Sequence, residues 1–513
     1  MRIATATQVR ELDRNAIQKR GIPGAALTEA AAKALTDAAL KLAGGRSGEK
    51  THRAVIFCGT GNNGGDGIAV ARFLMEGGWQ VRCVLVGNRK KCSIGAQEME
   101  HRLVMAGGKL EDFTPDDPQF AAWCLTADVM VDAIFGMGLN AAPQGDALIA
   151  IHMMNTCSIP VLSVDIASGV EADTGLLLGA AVHADATVSF TLPKVGNYVG
   201  KGGLCCGALT VVPIGIPKEL TQSVDCNTYT VEAEDFSLPR RPLDAHKGDF
   251  GKVYILGGSM GMSGAPVMAA QAAVCTGAGL VSLGVPFQVW SVAAAKLTEA
   301  MVQPLPAGKD GLLELGAAMT VLEKLPHFGV CLIGPGLGRS NAVYSVVRNV
   351  LLGTKLPVVL DADGINALEG HIDALDQRSG LATILTPHDT EFQRLGGDLS
   401  HGDRLRAARE FAIAHSCCLV LKGHRSITAF PDGTAYINTT GNPGMAKGGS
   451  GDVLAGILVS LLGQGMTPRE AAPMAVYLHG LAGDLCAAEI GEYGMTPTDM
   501  IKKLPEVMQK FVK

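Results

Sequence analysis

The chain has 513 residues, 47% hydrophobic and 18% charged, a composition that builds packed cores and excludes a disordered polymer. At roughly 100–200 residues per domain it calls for two to four domains. A net charge of -6 without a basic tract, and an aromatic content of 5%, exclude a nucleic-acid groove or a base-stacking platform.

The elements follow in chain order. Thr7 is expected to cap a first helix that Gly21 ends; Pro23 opens a second, which Gly44-Gly45 close. The charged N-terminal stretch carries no apolar signal core. Short apolar runs then alternate with helical stretches at 54–58, 81–86, 129–134, 161–165, 187–191 and 209–213. Runs apolar at nearly every position fit strands buried on both faces, as in a parallel sheet between helices. Residues 234–250, with two prolines, mixed charge and no period, read as the linker and the entry to a second domain. A second series follows at 253–256, 280–285, 330–333, 357–360, 383–385 and 419–421. Pro431-Asp432-Gly433 then marks a hairpin within 427–438. The expected organisation is two different α/β domains, 1–225 and 226–513. The longest apolar stretch, around Val453 to Leu462, falls short of the ~20 residues that span a bilayer. The 13 cysteines form no CxxC pair and read as reduced, buried thiols. A cytoplasmic protein without membrane or nucleic-acid partners, and a homo-oligomer, is expected.

The strongest motif is GNPGMAKGGSGD at 441–452, followed by the apolar run VLAGILVSLL. Its glycines let backbone approach a ligand, and the apolar run is helical. The amides of Gly449, Gly451 and Asp452 should therefore meet at a helix start, an anion hole for a phosphoryl group. Asp452, in the first turn, is expected to be ionised and to accept a hydroxyl proton. Its plain structural role would be a helix cap. Lys422-Gly423-His424-Arg425-Ser426 follows a strand and offers amides, a cation and a hydroxyl to a nucleotide phosphate. Thr386-Pro387-His388 also follows a strand, where ligands bind in open α/β sheets. No GxxxxGK[ST] run is present, which excludes a P-loop enzyme.

The N-terminal half carries GTGNNGGDG at 59–67 between a strand and a helix. Gly59, Gly61 and Gly64 satisfy GxGxxG, but the ribose-binding acid expected about 20 residues on is missing. Arg89 to Lys91 could take a 2′-phosphate instead. Two more loops follow strands, at 132–140 and 163–170. Asn62, Asp132 and Ser168 offer hard oxygen ligands from the three loops. Asp66 reads equally as a cap or as a ligand contact. Asp165, at a strand end, is the best acid–base candidate. Lys194 reads either as a second one or as a surface lysine laying its stem on apolar neighbours.

GNPGMAKGGSGDVLAG, with HKGDFG at 246, GAGLV at 277, DADGIN at 361, TPH at 386 and LKGH at 421, resembles the ribokinase-like NAD(P)H-hydrate dehydratases. NNGGDG, DAIFGMGLN and SVDIASGV resemble the NAD(P)H-hydrate epimerase domain. Together they are similar to the bifunctional NAD(P)H-hydrate repair enzymes. The resemblance implies a Rossmann-like αβα sandwich followed by a ribokinase-like one. It implies epimerisation of hydrated NADH and NADPH, then ADP-dependent dehydration to NAD(P)H, AMP and phosphate. It makes Asp452 the base, with Gly449, Gly451 and Lys422 to Ser426 on the nucleotide. Ala265, Gly338 and His388 would contact the hydrate, and Glu391 would order Mg²⁺ through water. Asp389-Thr390 stand where proline-glycine is expected after the histidine. In the epimerase domain it puts Gly61, Asn62, Asn63, Gly64, Gly65 and Asp66 on the substrate. The backbone of Gly136, Met137, Gly138, Leu139, Asn140, Ala141 and Ala142 would wrap the pyrophosphate. It gives catalysis to Asp165 and Lys194, and a K⁺ site to Asn62, Asp132 and Ser168.

The substrate would be a carbinolamine. Its stereocentre could invert by reversible loss of hydroxide or by ring opening. Phosphorylation of the hydroxyl would let the ring nitrogen expel phosphate. Two rivals stay open: a sugar or vitamin kinase with an N-terminal regulatory domain, and a non-catalytic nucleotide-binding protein.

Overall fold

The computed structural model describes residues 1–44 and 52–512. The chain folds into two compact units, Arg2–Cys226 and Asn227–Lys513 with Met1. Gly45, expected to help close the second helix, lies outside the described residues.

The first unit is built on seven parallel strands: β1 (Arg53–Cys58), β2 (Gln80–Leu85), β3 (Leu110–Asp112), β4 (Val129–Ala133), β5 (Val161–Val164), β6 (Ala186–Phe190) and β7 (Ala208–Val212), in the order β3-β2-β1-β4-β5-β6-β7. Every β4 residue is buried, which explains why it reads as apolar at nearly every position, Asp132 excepted. The order reverses at β1, between β2 and β4, and such a switch point opens a crevice at the strands' carboxyl ends. Helix α1 (Ala6–Arg20) is capped by Thr5, not Thr7: the Thr5 hydroxyl accepts from the Gln8 amide and the Gln8 side chain from that of Thr5. Thr7 lies inside the helix. Helices α2 (Gly24–Ala43) and α3 (Asn62–Glu76) share one apolar core, with Leu35 and Ala39 in the same cluster as Ile68 and β1 Ile56.

The second unit's sheet comprises β8 (Thr228–Thr230), β9 (Lys252–Leu256), β10 (Leu280–Pro286), β11 (Met301–Leu305), β12 (Val330–Ile333), β13 (Val358–Leu360), β14 (Thr383–Leu385), β15 (Cys418–Leu421), β16 (Ile427–Ala429) and β17 (Ala435–Ile437). Their order is β8-β17-β16-β15-β14-β13-β12-β9-β10-β11. The expected hairpin is β16–β17, antiparallel. Helix α4 (Gly264–Cys275) packs on α5 (Ser450–Gly463) so closely that a Cβ on Gly456 would lie 2.3 Å from Ala269 O. Segment 234–250 is not a free linker. The Leu238 amide donates to Phe511 O at 2.7 Å, and Arg241 donates to Gly277 O at 2.6 Å. The prolines break its periodicity without detaching it. Among the described residues, no helix is long and apolar enough to cross a membrane.

Candidate active sites

The first unit holds a cavity of about 1000 Å³ at its switch point. One wall is the turn from β1 into α3. This turn is tight: a Cβ on Gly64 would fall 1.8 Å from Gly59 O, so glycine is required. Gly61, Asn62, Asn63 and Asp66 line the cavity. Gly64 and Gly65 do not; they are buried against Gly59 and Ala96. Of the residues expected to wrap the pyrophosphate, Gly136 to Leu139 line it, whereas Asn140, Ala141 and Ala142 are exposed outside its lining. Lys91 faces the cavity, but Arg89 is pulled away into ion pairs with Glu100 and Asp112.

Asp165 and Lys194 meet at the cavity floor as a buried ion pair. Lys194 is wholly buried, so the reading as a surface lysine fails. Ser189 Oγ and the Phe190 amide also donate to Asp165 Oδ1, at 3.1 and 3.3 Å, and Asn197 Nδ2 donates to Asp165 O at 3.1 Å. Asp165 takes a left-handed backbone, φ +67°, a strained conformation characteristic of functional sites. Asp132 is buried behind this wall. Its carboxylate accepts from Ser163 Oγ at 2.8 Å, Ser168 N at 2.8 Å and Ser168 Oγ at 2.5 Å. Burial raises its pKa against these bonds. The fold thus joins Asp132 to Ser168, while Asn62 is exposed on the cavity wall.

In the second unit, parallel register sets the carboxyl ends of β9, β12, β13, β14 and β15 side by side. The loops that begin at Gly257, Gly334, Asp361, Thr386 and Lys422 therefore share one edge. Asp361 is its hub: Lys422 Nζ donates to it at 2.8 Å and Thr386 Oγ1 at 2.7 Å. Lys422 Nζ also stands 3.8 Å from Glu391 Oε2. Burial works against the Lys422 charge, but Asp361, Glu391 and Asp452 outweigh it and raise the pKa.

Asp452 lies in the first turn of α5, after Gly449 with φ +105°. A Cβ on Gly451 would sit 3.3 Å from Lys422 Nζ, so backbone, ammonium and carboxylates crowd one point. Ser450 N donates to Lys447 O; the Gly451 and Asp452 amides belong to the first helical turn, which leaves such groups without intrahelical acceptors. Asp452 is not the simple ionised carboxylate expected. Burial and then Asp361 push its pKa up to about 7, with Asp363 and Glu391 adding and Lys422 opposing.

Ala265, near the start of α4, lies under the Gly334–Gly338 loop: a Cβ on Gly336 would be 3.2 Å from Ala265 Cβ. The Gly338 amide donates to Asp363 Oδ2 at 2.9 Å. His388 caps helix Asp389–Arg394, Nδ1 accepting from the amides of Thr390 and Glu391, and half its ring is exposed. Asp389 pairs with Arg404, which also donates to Lys422 O at 3.0 Å. The aspartate that replaces the expected proline thus ties the histidine loop to the lysine loop. In 422–426, the Gly423 amide donates to Ser426 Oγ at 3.3 Å, and Arg425 donates to Thr439 O. The His424 pKa is lowered by burial and by Arg425.

Sequence reasoning misses Asp361 and Asp363 as site residues, although an acid directly after a buried strand is itself a signal and both stand in the DADGIN run. It also misses Asp13 and Arg404, which lie on helices and carry no such signal.

Two αβα units, each with its polar groups gathered at the carboxyl ends of parallel strands, define an enzyme of the nucleotide-handling α/β class. Residues 253–506 match the family described as NAD(P)H-hydrate dehydratase, and residues 24–196 match YjeF-related protein N-terminus. The bifunctional NAD(P)H-hydrate repair enzyme of Moorella thermoacetica is 40% identical over 99% of this chain and 97% of its own. That of Thermofilum pendens is 35% identical over 99% and 96%. The second unit is also similar to a solved ADP/ATP-dependent NAD(P)H-hydrate dehydratase from Bacillus subtilis, co-crystallized with ATP/Mg²⁺, at 31% identity and TM-score 0.47 over 55% of this chain and 98% of that one. The chain belongs to the bifunctional NAD(P)H-hydrate repair enzymes.

Proposed function

We propose that the first unit interconverts the epimers of hydrated NADH and NADPH, and that the second dehydrates one epimer at the expense of ADP. The observation that carries the second half is the meeting of Asp452, Lys422 and the α5 start beside Asp361. Lys422 and the 422–426 backbone hold the nucleotide phosphates. The Gly449–Asp452 turn receives the transferred phosphoryl group, and Asp452 takes the hydroxyl proton. Ala265, Gly338 and His388 seat the hydrate. Once phosphorylated, the carbinolamine loses phosphate as the ring nitrogen lone pair forms the double bond.

Asp361, Glu391, Asp363 and Asp452 outnumber Lys422, and the first three add to burial, the larger cause, in raising the Asp452 pKa. A divalent cation suits such a set, and Mg²⁺ held through water by Glu391 would neutralise phosphate charge. In the first unit, the buried Asp165–Lys194 pair supplies the charges that position the reacting hydrate, and the 136–139 backbone holds the pyrophosphate. One carboxylate and neutral oxygens, Asp132 with Ser168 and Asn62, suit K⁺ better than Mg²⁺; for Asp132 to take it, the Ser168 hydroxyl must turn its proton away.

A mixed-epimer substrate tests the division of labour. Asp452→Asn should leave both epimers unconsumed. Asp165→Asn should consume one and leave the other beyond the spontaneous rate. Consumption of both by Asp165→Asn at the wild-type rate would remove epimerisation from the first unit.

A further inference from the structure

Helix α1 supplies one wall of the first unit's cavity. Val9, Asp13 and Ile17 recur every four residues, so they share a face, and all three line the cavity. Beside that face Leu12 and Ala16 are buried in apolar core. The helix is fixed in place at its start. The Ala4 amide donates to Pro193 O at 3.0 Å, next to Lys194, and the Ala6 amide donates to Asp173 Oδ1 at 2.6 Å. Asp13 is thereby held where the charges of Lys194 and Asp165 both reach its carboxyl.

Asp165 itself is poorly placed to carry a proton. Lys194, Ser189 and Phe190 all donate to the same oxygen. Protonating it would strand a buried ammonium without its partner, which is strongly unfavourable. The Asp165–Lys194 pair is a fixed charge arrangement. Asp66 bonds Thr28, and burial and then Asp165 push its pKa well above the usual carboxylate range. Asp13 is the remaining carboxyl of the group. Burial raises its pKa to about 6, with Lys194 opposing and Asp165 adding, so both of its forms are present near neutrality.

Resting on the epimerase reading of this cavity, we propose that Asp13 is the proton-transferring residue of epimerisation. The Asp13 carboxyl protonates the hydroxyl of the hydrate as the C–O bond breaks. The bonding pair leaves with oxygen, which departs as water, and the ring nitrogen lone pair forms a C=N⁺ bond. The cation stands among the carboxylates of Asp13 and Asp165. Water then adds to the other face and its proton returns to Asp13, so the two epimers exchange with no other reactant. The charged and titratable groups that line the cavity with Asp13 are Arg10 on its own helix, Asp66 on α3, and Asp165, Lys194, Lys91, Glu98 and Asp146 on the remaining walls.

The test uses full-length Asp13→Asn and Asp13→Glu, a single purified epimer, and solvent enriched in ¹⁸O. Wild type should epimerise with entry of solvent ¹⁸O at the hydroxyl carbon, and its kcat should fall as pH rises through about 6 to 7. Asp13→Asn should lose about a hundredfold or more in kcat with little change in KM, and its residual rate should lose that pH limb. Asp13→Glu should recover part of the rate, which a purely structural role would not require. Circular dichroism and the thermal transition of each variant, compared with wild type, report that the first unit is folded, and dehydration of the other epimer, made in the second unit, should stay at the wild-type rate. Epimerisation by Asp13→Asn within threefold of wild type overturns the assignment of Asp13. So does loss of folding in both variants, since it would make Asp13 a structural residue. If wild type itself adds nothing to the spontaneous rate, it is the epimerase reading that fails.

Discussion

The environment of Asp452 yields a pair of opposed predictions. Its pKa of about 7, raised by burial and Asp361 and lowered by Lys422, means that a base at this position is half protonated near neutrality. The rate constant kcat/KM for dehydration should therefore fall about tenfold per pH unit below that value. Asp361→Asn removes the largest raising charge and should move this acidic limb down. Lys422→Met removes the lowering charge and should move it up, besides weakening nucleotide binding. Two unit charges about 5 Å apart at an effective dielectric of about 20 interact by roughly 3 kcal/mol, and one pKa unit is about 1.4 kcal/mol. Displacements of about one unit or more, in opposite directions, are expected. The assay is the pH profile of single-turnover dehydration with ADP saturating. A limb that stays put in both variants, or moves the same way in both, would refute the electrostatic reasoning. The same shift has a stability sign. The folded pKa of Asp452 is raised, so its contribution is fully present below the unfolded value near 4 and is lost as pH rises through 7. Asp452→Asn should therefore raise the thermal midpoint at pH 8 and change it little at pH 4.

Three further outcomes follow from the geometry. Asp132→Ala should raise KM for epimerisation and abolish any difference between K⁺ and a large organic cation at equal ionic strength, leaving dehydration unchanged; equal wild-type rates in the two salts would count against the cation site. Arg404→Ala, which unties Asp389 from the Lys422 carbonyl, should raise the KM for ADP several-fold with a smaller effect on kcat, and an unchanged KM would show the tie to be idle. Residues 2–226, a compact unit by themselves, should fold and epimerise a pure epimer; a folded but inactive fragment would show that the first unit needs the second.

Much of both folds is legible in the sequence because parallel strands buried on two faces leave unbroken apolar runs. The edge strand β11 is not, since Pro304 interrupts it, and an edge can accommodate a proline that an interior strand cannot. The cap of α1 is decidable in principle: Thr5 has Gln8 three residues on, the capping-box spacing, whereas Thr7 does not. The glycine loops are legible because close backbone approach demands that residue type. Lys194 is a candidate in the sequence, but its burial escapes a sequence reading because it depends on Asp165 and Ser189, which local composition does not connect to it. The ionisation of Asp452 escapes it for the same reason. Asp361, Asp363 and Glu391 reach it from loops after other strands, and only the register of the sheet brings them together.

The central claim is that phosphoryl transfer from ADP drives dehydration of the hydrate. The most direct measurement is the mass balance of the full chain with hydrated NADH, ADP and Mg²⁺, following adenine nucleotides, phosphate and the return of NADH absorbance. Equal amounts of AMP, phosphate and NADH are expected, with both epimers consumed. A stable phosphate ester of the hydrate, or NADH formed with ADP untouched, would contradict it.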